Sequence, residues 1–283
     1  MGNLQASSGF FSPQLNNQRD ILVHLPPSYE QADQRYPVIY MHDGQNLFDD
    51  HTSFAGEWHV DETMQHLSHR GLEAIIVGIP NMGTERVHEY SPFRNVHHRD
   101  GRGDLYMAFI VETLKPVIDQ RFRTLPGKMH TGLMGSSMGG LISLYGFFRY
   151  PEVFGLAGIM SPSLWFAREA ILDYVAAAPY HPGRIYLDAG TREIIGAPAD
   201  YHVWRARSRN YYARVRRLKR ILVQKGYRPV HDLLHFEERE ARHQEAAWAR
   251  RLPRAFTFLL SGNGSATATP AGRRATPDHA GNQ

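Results

Sequence analysis

The chain has 283 residues, of which 42% are hydrophobic and 21% are charged. These values are ordinary for a globular protein, and they exclude a wholly disordered chain, a collagen-like repeat and a coiled coil. The chain has no cysteine, which excludes a disulfide scaffold, cysteine-based zinc sites, iron–sulfur clusters and thiol nucleophiles. The 32 Lys and Arg residues against 28 Asp and Glu residues give a net charge of +4. Such a mild excess is weak evidence for a polyanion partner unless the charges are clustered.

Short apolar runs alternate with helical stretches along most of the chain. The runs are apolar on both faces, which is typical of a parallel sheet covered on both sides. The predicted strands span residues 21–25, 38–41, 74–79, 131–134, 155–160, 185–187 and 233–236. The predicted helices, where apolar residues recur every three or four positions, span residues 58–70, 104–121, 139–149 and 204–225. We therefore expect an α/β fold with a mostly parallel central sheet.

The end of the chain differs in composition from the rest. Residues 261–283 contain no large apolar side chain, so they cannot bury enough surface to offset the entropy of ordering them. We expect a single folded domain over residues 1–260 and a disordered tail over 261–283. No window approaches about 18 consecutive apolar residues, and the first residues lack the basic and apolar regions of a signal peptide. We therefore expect a cytoplasmic protein without a membrane span.

The sharpest local signal is the segment GSSMG at residues 135–139, which has the form G-x-S-x-G. It stands between the predicted strand at 131–134 and a predicted helix. A nucleophile elbow is a strained strand-to-helix turn whose small neighbours leave the serine accessible, so both flanks fit this motif. The alternative is a glycine-rich turn that only packs or binds phosphate. We predict that Ser137 is a nucleophile and that Ser136 is only its neighbour.

A serine nucleophile needs a histidine base, and the histidine needs a carboxylate that fixes its tautomer. In hydrolases with a nucleophile elbow, the chain order is serine, acid, histidine. This order leaves five of the sixteen histidines, namely His202, His231, His235, His243 and His279. His279 lies in the predicted tail, and His231 and His235 lie in or beside an apolar strand, where a structural role is more common. His243 follows a strand and a short polar loop and opens a predicted helical run at 244–251, so we predict that it is the base.

Two carboxylates are candidates for the acid. Asp188 lies at the end of the predicted strand 185–187, whereas Glu193 lies beyond a glycine in the loop that follows. Sites of open α/β sheets gather in loops at the carboxyl ends of the strands. We favour Glu193 for this reason, and Asp188 stays open as the alternative acid.

The oxyanion of a tetrahedral intermediate needs two backbone N–H donors. One comes from the residue after the nucleophile, which is Met138, and the other comes from the loop after an early strand. The segment 42–46 follows the predicted strand at 38–41 and contains a glycine that can turn an N–H inward. We predict that Gln45 supplies the second donor and that Asp43 orders the turn.

Several separated motifs together resemble one family. They are the segments 40–49 (YMHDGQNLFD), 57–58 (EW), 77–79 (VGI), 86 with 89–92 (R, EYSP), 135–140, 187–193 and 243–248 (HQEAAW). In this order, and over roughly residues 10 to 260, they resemble the Putative esterase family of the α/β-hydrolase superfamily. That family includes carbohydrate esterases acting on feruloyl or acetyl groups, siderophore esterases, S-formylglutathione hydrolases and mycolyltransferases. The resemblance implies an α/β-hydrolase fold with helices on both faces of the sheet.

The resemblance also implies roles for particular residues. The family's nucleophile falls on Ser137, its base on His243, its acid on Glu193, and its oxyanion donors on Gln45 and Met138. Many relatives have Asp at the position of the acid. The resemblance implies a serine esterase that hydrolyses a small-molecule carboxylic ester through an acyl-enzyme. An acyltransferase with the same acyl-enzyme, and a non-catalytic ligand-binding homologue, are the alternatives.

The positive charge is concentrated in residues 205–220, which contain eight Lys and Arg residues and no acid, so the rest of the chain carries −4. Tyr211, Tyr212, Val215 and Leu218 interrupt this stretch at helical spacing. The pattern predicts a packed inner face and a solvated basic outer face rather than a nucleic-acid site. Because the stretch lies between the predicted acid and base, it suggests an anionic acyl or leaving group.

Metal ligation is the remaining question for a chain with sixteen histidines. His97 and His98 are adjacent, but neither H-E-x-x-H nor another closed ligand spacing occurs. We therefore expect no metal and no cofactor.

Overall fold

The central sheet has eight strands in a computed structural model that describes residues 3–94, 101–193 and 201–262. The strands are β1 (Leu4–Ser12), β2 (Asn17–His24), β3 (Val38–His42), β4 (Ile75–Ile79), β5 (Thr131–Ser137), β6 (Leu156–Pro162), β7 (Arg184–Arg192) and β8 (Leu233–Arg242). Their order across the sheet is β1-β2-β4-β3-β5-β6-β7-β8. β1 pairs antiparallel with β2 and β2 antiparallel with β4, and every pair from β4 to β8 is parallel. The prediction of a mostly parallel sheet is confirmed.

Helices connect these strands. They are α1 (Val60–Ser68), α2 (Arg86–Glu89), α3 (Gly103–Ala108), α4 (Lys115–Arg121), α5 (Met138–Arg149), α6 (Ala170–Ala177), α7 (Tyr201–Lys225) and α8 (Glu245–Leu260). A π-helical turn, Phe109–Leu114, joins α3 to α4, and short 3-10 turns occur at Gly44–Asn46, Gly83–Glu85, Lys128–His130 and Phe166–Glu169. None of the helices in the described ranges is long and apolar enough to cross a membrane.

The two faces of the sheet carry separate apolar cores. Along β3 the side chains alternate, so Val38 and Tyr40 pack on one face while Ile39 and Met41 pack on the other. The first core also takes buried residues from α3 to α7, and the second takes buried residues from α1 and α8. A strand buried on both sides must be apolar at every position, which explains the continuous apolar runs in the sequence.

Three strands end three or more residues later than their apolar runs predict. β5 continues through Ser137, β7 through Arg192 and β8 through Arg242. These extensions carry the chain toward the predicted site residues. Strand β1 was not predicted, because it lies at the edge of the sheet, pairs only with β2 and is mostly exposed, so it needs no apolar face.

The carboxyl ends of the parallel strands meet at one edge of the sheet. Ser137 ends β5, the loop with Gln45 follows β3, Glu193 follows β7 and His243 follows β8. Crevices at this edge are where open α/β sheets bind their ligands. His97, His98 and the predicted disordered tail beyond Gly262 lie outside the described residues.

Candidate active site

Ser137 lies in a strained turn between β5 and α5. Its backbone has φ 56° and ψ −118°, a region that L residues rarely occupy. The turn is tight, because a Cβ at Gly135 would lie 2.9 Å from the carbonyl carbon of Gly139 and 3.0 Å from Cδ2 of His42. This is the strand-turn-helix geometry that the G-x-S-x-G motif predicts, and it leaves Ser137 about 9% exposed at the carboxyl edge of the sheet.

The hydroxyl of Ser137 lies 3.1 Å from the Ser163 hydroxyl. The N–H of Ser163 also donates to the carbonyl of Ser137, at 2.9 Å. No hydrogen bond joins Ser137 to His243 in the described part of the chain. Catalytic hydrogen bonds often form fully only when substrate is bound, so this geometry is compatible with a nucleophile and base pair. Ser163 follows β6 and carries no sequence motif that could have revealed it.

His243 and Glu193 form a close pair. Nδ1 of His243 lies 2.6 Å from Oε2 of Glu193, and both side chains are almost fully buried. The imidazole ring packs edge-on against Tyr211 and Trp248, with ring centroids 5.5 Å and 5.0 Å away. Nε2 is buried and has no hydrogen-bond partner among the described residues. A proton on Nδ1 that is donated to the carboxylate leaves Nε2 free to accept one.

The carboxylate of Glu193 is held from several directions. Its Oε1 accepts hydrogen bonds from the Ser161 hydroxyl at 2.5 Å and from the Gly190 N–H at 2.6 Å. Burial acts to raise the pKa of Glu193, but the hydrogen bonds from His243, Ser161 and Gly190 outweigh it and hold the pKa below its ordinary value. Glu193 is therefore ionised at neutral pH.

Asp188, the alternative acid, contacts other groups. It is fully buried, accepts a hydrogen bond from the Ser161 N–H at 3.0 Å, and lies 3.0 Å from Nε of Arg251. Burial raises its pKa to about 6, with Arg251 acting in the opposite direction. The structure therefore brings His243 together with Glu193 and not with Asp188.

Arg251 connects both carboxylates, although its position in helix α8 gave no sign of a buried role. Only 2% of the residue is exposed. Besides its contact with Asp188, it donates to the Ser161 hydroxyl at 2.8 Å and lies 3.9 Å from Oε1 of Glu193. A buried cation of this kind compensates the charge of carboxylates that water cannot reach.

Replacement of Arg251 with methionine should lower the free energy of unfolding by about 3–5 kcal/mol, because it leaves Asp188 and Glu193 buried without their cation. Urea denaturation followed by circular dichroism measures this change. The matched control is Arg250→Met, since Arg250 is exposed and pairs with Glu238 at the surface, where such pairs contribute about 0–1 kcal/mol. Equal losses in the two variants would contradict the proposed role of Arg251.

The loop after β3 is fixed against the neighbouring strand. A Cβ at Gly44 would lie 2.6 Å from the backbone nitrogen of Ile79, so only glycine lets the loop pack here. Asp43 has a left-handed backbone, with φ 57°. Its carboxylate accepts two hydrogen bonds from Arg86, at 2.7 Å and 2.8 Å, and one from Asn81 at 2.7 Å. Asp43 therefore orders the turn, as the sequence predicts.

Gln45 and Met138 are the residues predicted to supply the oxyanion donors. Gln45 is the middle residue of the 3-10 turn that Asp43 begins, and its side chain accepts a hydrogen bond from the Asn81 N–H at 3.1 Å. Its own N–H makes no hydrogen bond to another residue in the described ranges. Met138 is the first residue of α5, where backbone N–H groups have no partner within the helix. Both N–H groups are thus suited to receive an anionic oxygen.

His42 lies beside this loop, and it is not suited to act as a base. Burial lowers its pKa to about 3, with Asp43 acting in the opposite direction, and its Nδ1 lies 2.8 Å from the Tyr106 hydroxyl. Among the described residues, one set of potential metal ligands, Glu57, His59 and Glu62, has donor atoms within 4.8 Å of one another. His59 and Glu62 are exposed, and exposed acidic groups of this kind are common without a metal.

The sequence profile of the Putative esterase family matches residues 12–259. The chain belongs to this family. It is a carboxylic ester hydrolase, and the fold described above is the α/β-hydrolase fold.

Three similar proteins illustrate the range of relatives. The uncharacterized protein YjcH of Bacillus subtilis is 29% identical to this esterase over 219 residues, which are 76% of this chain and 82% of YjcH. The crystal structure of the BES protein from Bacillus cereus has a TM-score of 0.69 and 21% identity, covering 92% of this chain and 95% of that one. The enterobactin esterase FES from Shigella flexneri has a TM-score of 0.70 and 19% identity, covering 92% of this chain and 60% of that one.

Proposed function

We propose that this esterase works through an acyl-enzyme on Ser137, with His243 as general base and Glu193 as the acid of a Ser–Glu–His triad. The observation that carries the proposal is the 2.6 Å contact between Nδ1 of His243 and the buried Glu193 carboxylate. It leaves Nε2 of His243 without a partner in the described part of the chain, at the same edge of the sheet as the strained Ser137. This arrangement supports a base that accepts the serine proton.

In the first half of the proposed reaction, Oγ of Ser137 attacks the ester carbonyl carbon while its proton passes to Nε2 of His243. The carbonyl oxygen becomes an oxyanion that accepts hydrogen bonds from the N–H groups of Gln45 and Met138. The intermediate then collapses, the ester C–O bond breaks, and the leaving alkoxide takes the proton from His243. The acyl group is now bound to Ser137.

In the second half, a water molecule attacks the acyl carbon and gives a proton to Nε2 of His243. The second oxyanion forms in the same place and collapses, which releases the carboxylic acid and returns the proton to Ser137. Glu193 stays ionised throughout, and its charge stabilises the imidazolium that forms twice in the cycle. The contacts of Glu193 with Ser161 and Gly190 support this role, because they favour the ionised form.

The substrate that we propose is a small-molecule carboxylic ester. Enterobactin esterase is among the similar structures, and its name places enterobactin among the substrates to be tried first. Transfer of the acyl group to an alcohol rather than to water would need only a different second nucleophile. Measurement of the free acid and of the transferred ester, with increasing concentrations of an added alcohol, separates the two outcomes.

Labelling with a fluorophosphonate followed by peptide mapping tests the proposed nucleophile, because the reagent reacts with an activated serine. We expect the label on the peptide that contains Ser137, and we expect no label on the Ser137→Ala variant. The matched control is Ser136→Ala, which should be labelled like the unchanged chain. A label on another peptide, or none on the folded unchanged chain, would overturn the assignment.

A further inference from the structure

A small cationic cavity lies at the end of β7, the strand that leads to the proposed acid. Its volume is about 310 Å³, at the lower end of the range for small-ligand sites. Its walls come from the end of β7, the first turns of α7 and the end of β8, and the lining residues are Thr191, Arg192, Arg205, Ser208, Arg209, Tyr212 and Glu240. The cavity takes no part in the catalytic steps proposed above.

The charge of the cavity is not balanced. Arg192 forms an ion pair with Glu240, whose backbone N–H also donates to the Thr191 hydroxyl at 2.9 Å. Arg205 and Arg209, which lie one helical turn apart on α7, have no ion pair with any residue in the described ranges. Two guanidinium groups therefore line the cavity in excess of its single carboxylate.

Other cations of α7 form ion pairs with neighbouring elements. Arg214 and Arg217 both pair with Glu169, and Arg216 pairs with Glu237. These pairs attach the middle of α7 to neighbouring elements. The surplus positive charge that the sequence places on this helix therefore includes the two arginines that face the cavity.

Ser208 supplies a second, independent observation. It lies between Arg205 and Arg209, only 2% of it is exposed, and it lines the same cavity. Its Oγ is buried and makes no hydrogen bond to a described residue. A buried hydroxyl without a partner is costly, and an oxyanion in the cavity would satisfy it. Guanidinium and hydroxyl donors together form the usual setting of a bound carboxylate.

Two residues that line the cavity are sequence neighbours of residues in the proposed site. Arg192 directly precedes Glu193, and Tyr212 directly follows Tyr211, whose ring packs against His243 at 5.5 Å. The cavity is thus walled by the strand end that precedes the acid and by the helix that packs against the base.

We propose that this cavity binds a carboxylate or similar oxyanion carried by the ester substrate, so that the esterase prefers anionic esters. That the ligand is an ester rests on the proposed function. That an anion binds in the cavity rests on Arg205, Arg209 and Ser208. The anion belongs either to the acyl group or to the leaving alcohol, and the two positions share the same recognition chemistry.

Matched pairs of esters test this proposal. For the acyl side, 4-nitrophenyl hydrogen adipate is compared with 4-nitrophenyl hexanoate, and for the alcohol side, 4-carboxyphenyl acetate is compared with 4-carbamoylphenyl acetate. We expect the unchanged chain to favour the anionic member of one pair by about 10-fold or more in kcat/KM. In the double variant Arg205→Gln and Arg209→Gln this preference should disappear, through KM rather than kcat, while the neutral esters react as before.

The control variant is Arg207→Gln, since Arg207 is exposed on the same helix and does not line the cavity. It should keep the preference for the anion. No preference in either pair, a preference that survives in the double variant, or an equal loss in Arg207→Gln would overturn the proposal.

Binding of adipate and of its uncharged analogue adipamide to the Ser137→Ala variant, measured by calorimetry, separates this inference from the proposed function. Adipate should bind more tightly than adipamide, and the double variant made in the same background should lose the difference. Anion binding without turnover of any ester would contradict the proposed function and leave the anion site in place. Turnover of the neutral esters without a charge preference would contradict the anion site and leave the proposed function in place.

Discussion

Replacement of Ser137 with alanine is expected to lower kcat for 4-nitrophenyl acetate by about 10⁴-fold or more, since no covalent intermediate can then form. The backbone at this position has positive φ in both variants, so the substitution adds no strain beyond what the native turn carries. The thermal unfolding temperature should therefore change little. Activity is measured after subtraction of the spontaneous hydrolysis of the ester.

The control for this experiment is Ser163→Ala, because the Ser163 hydroxyl lies only 3.1 Å from that of Ser137. We expect this variant to keep most of its activity. If Ser163→Ala lost its turnover and Ser137→Ala kept it, the nucleophile would be Ser163 and the proposed elbow would be wrong.

Replacement of Glu193 with glutamine should lower kcat by about 10³-fold or more, because the amide can hold His243 in the wrong tautomer and cannot stabilise the imidazolium. Asp188→Asn should change kcat by less than about 10-fold, since Asp188 contacts Ser161 and Arg251 rather than His243. Rates for both variants are measured with the same neutral ester, together with their unfolding temperatures.

The ranking of the two variants decides the identity of the acid. A larger loss of kcat in Asp188→Asn than in Glu193→Gln would transfer the role to Asp188. Similar losses that follow the fraction of folded protein would show that both residues act through stability, and the triad proposal would then lose its acid.

The parts of the fold that the sequence predicts are those whose burial requires a visible pattern. β3 and β4 are buried at every position, so their apolar runs stand out. β1 is an exposed edge strand and leaves no such trace. α8 was recognised only in its first turns, at 244–251, although it continues to Leu260 through a proline at position 253. Hydrophobic periodicity indicates which elements are buried, so it does not predict an element that is exposed or that a proline interrupts.

The residues of the candidate site also divide into those that the sequence predicts and those that it does not. Ser137, His243 and Glu193 lie in segments where chain order and strand ends limit the choices. Arg251 and Ser161 contact the same carboxylates, but they lie on elements brought together only by folding. An arginine in an amphipathic helix is usually exposed, so no local pattern could have revealed that Arg251 is buried.

The contact between β7 and β8 at Gly190 limits which substitutions this site tolerates. A Cβ at Gly190 would lie 2.2 Å from the carbonyl oxygen of Ala241, so the two main chains touch at this point. Glu193 lies three residues after Gly190, and His243 lies two residues after Ala241. The spacing of acid and base is therefore set by the contact between the two main chains. Side chains in the surrounding loops can then diverge in evolution without separating the pair, whereas a methyl group at this one glycine would wedge the strands apart.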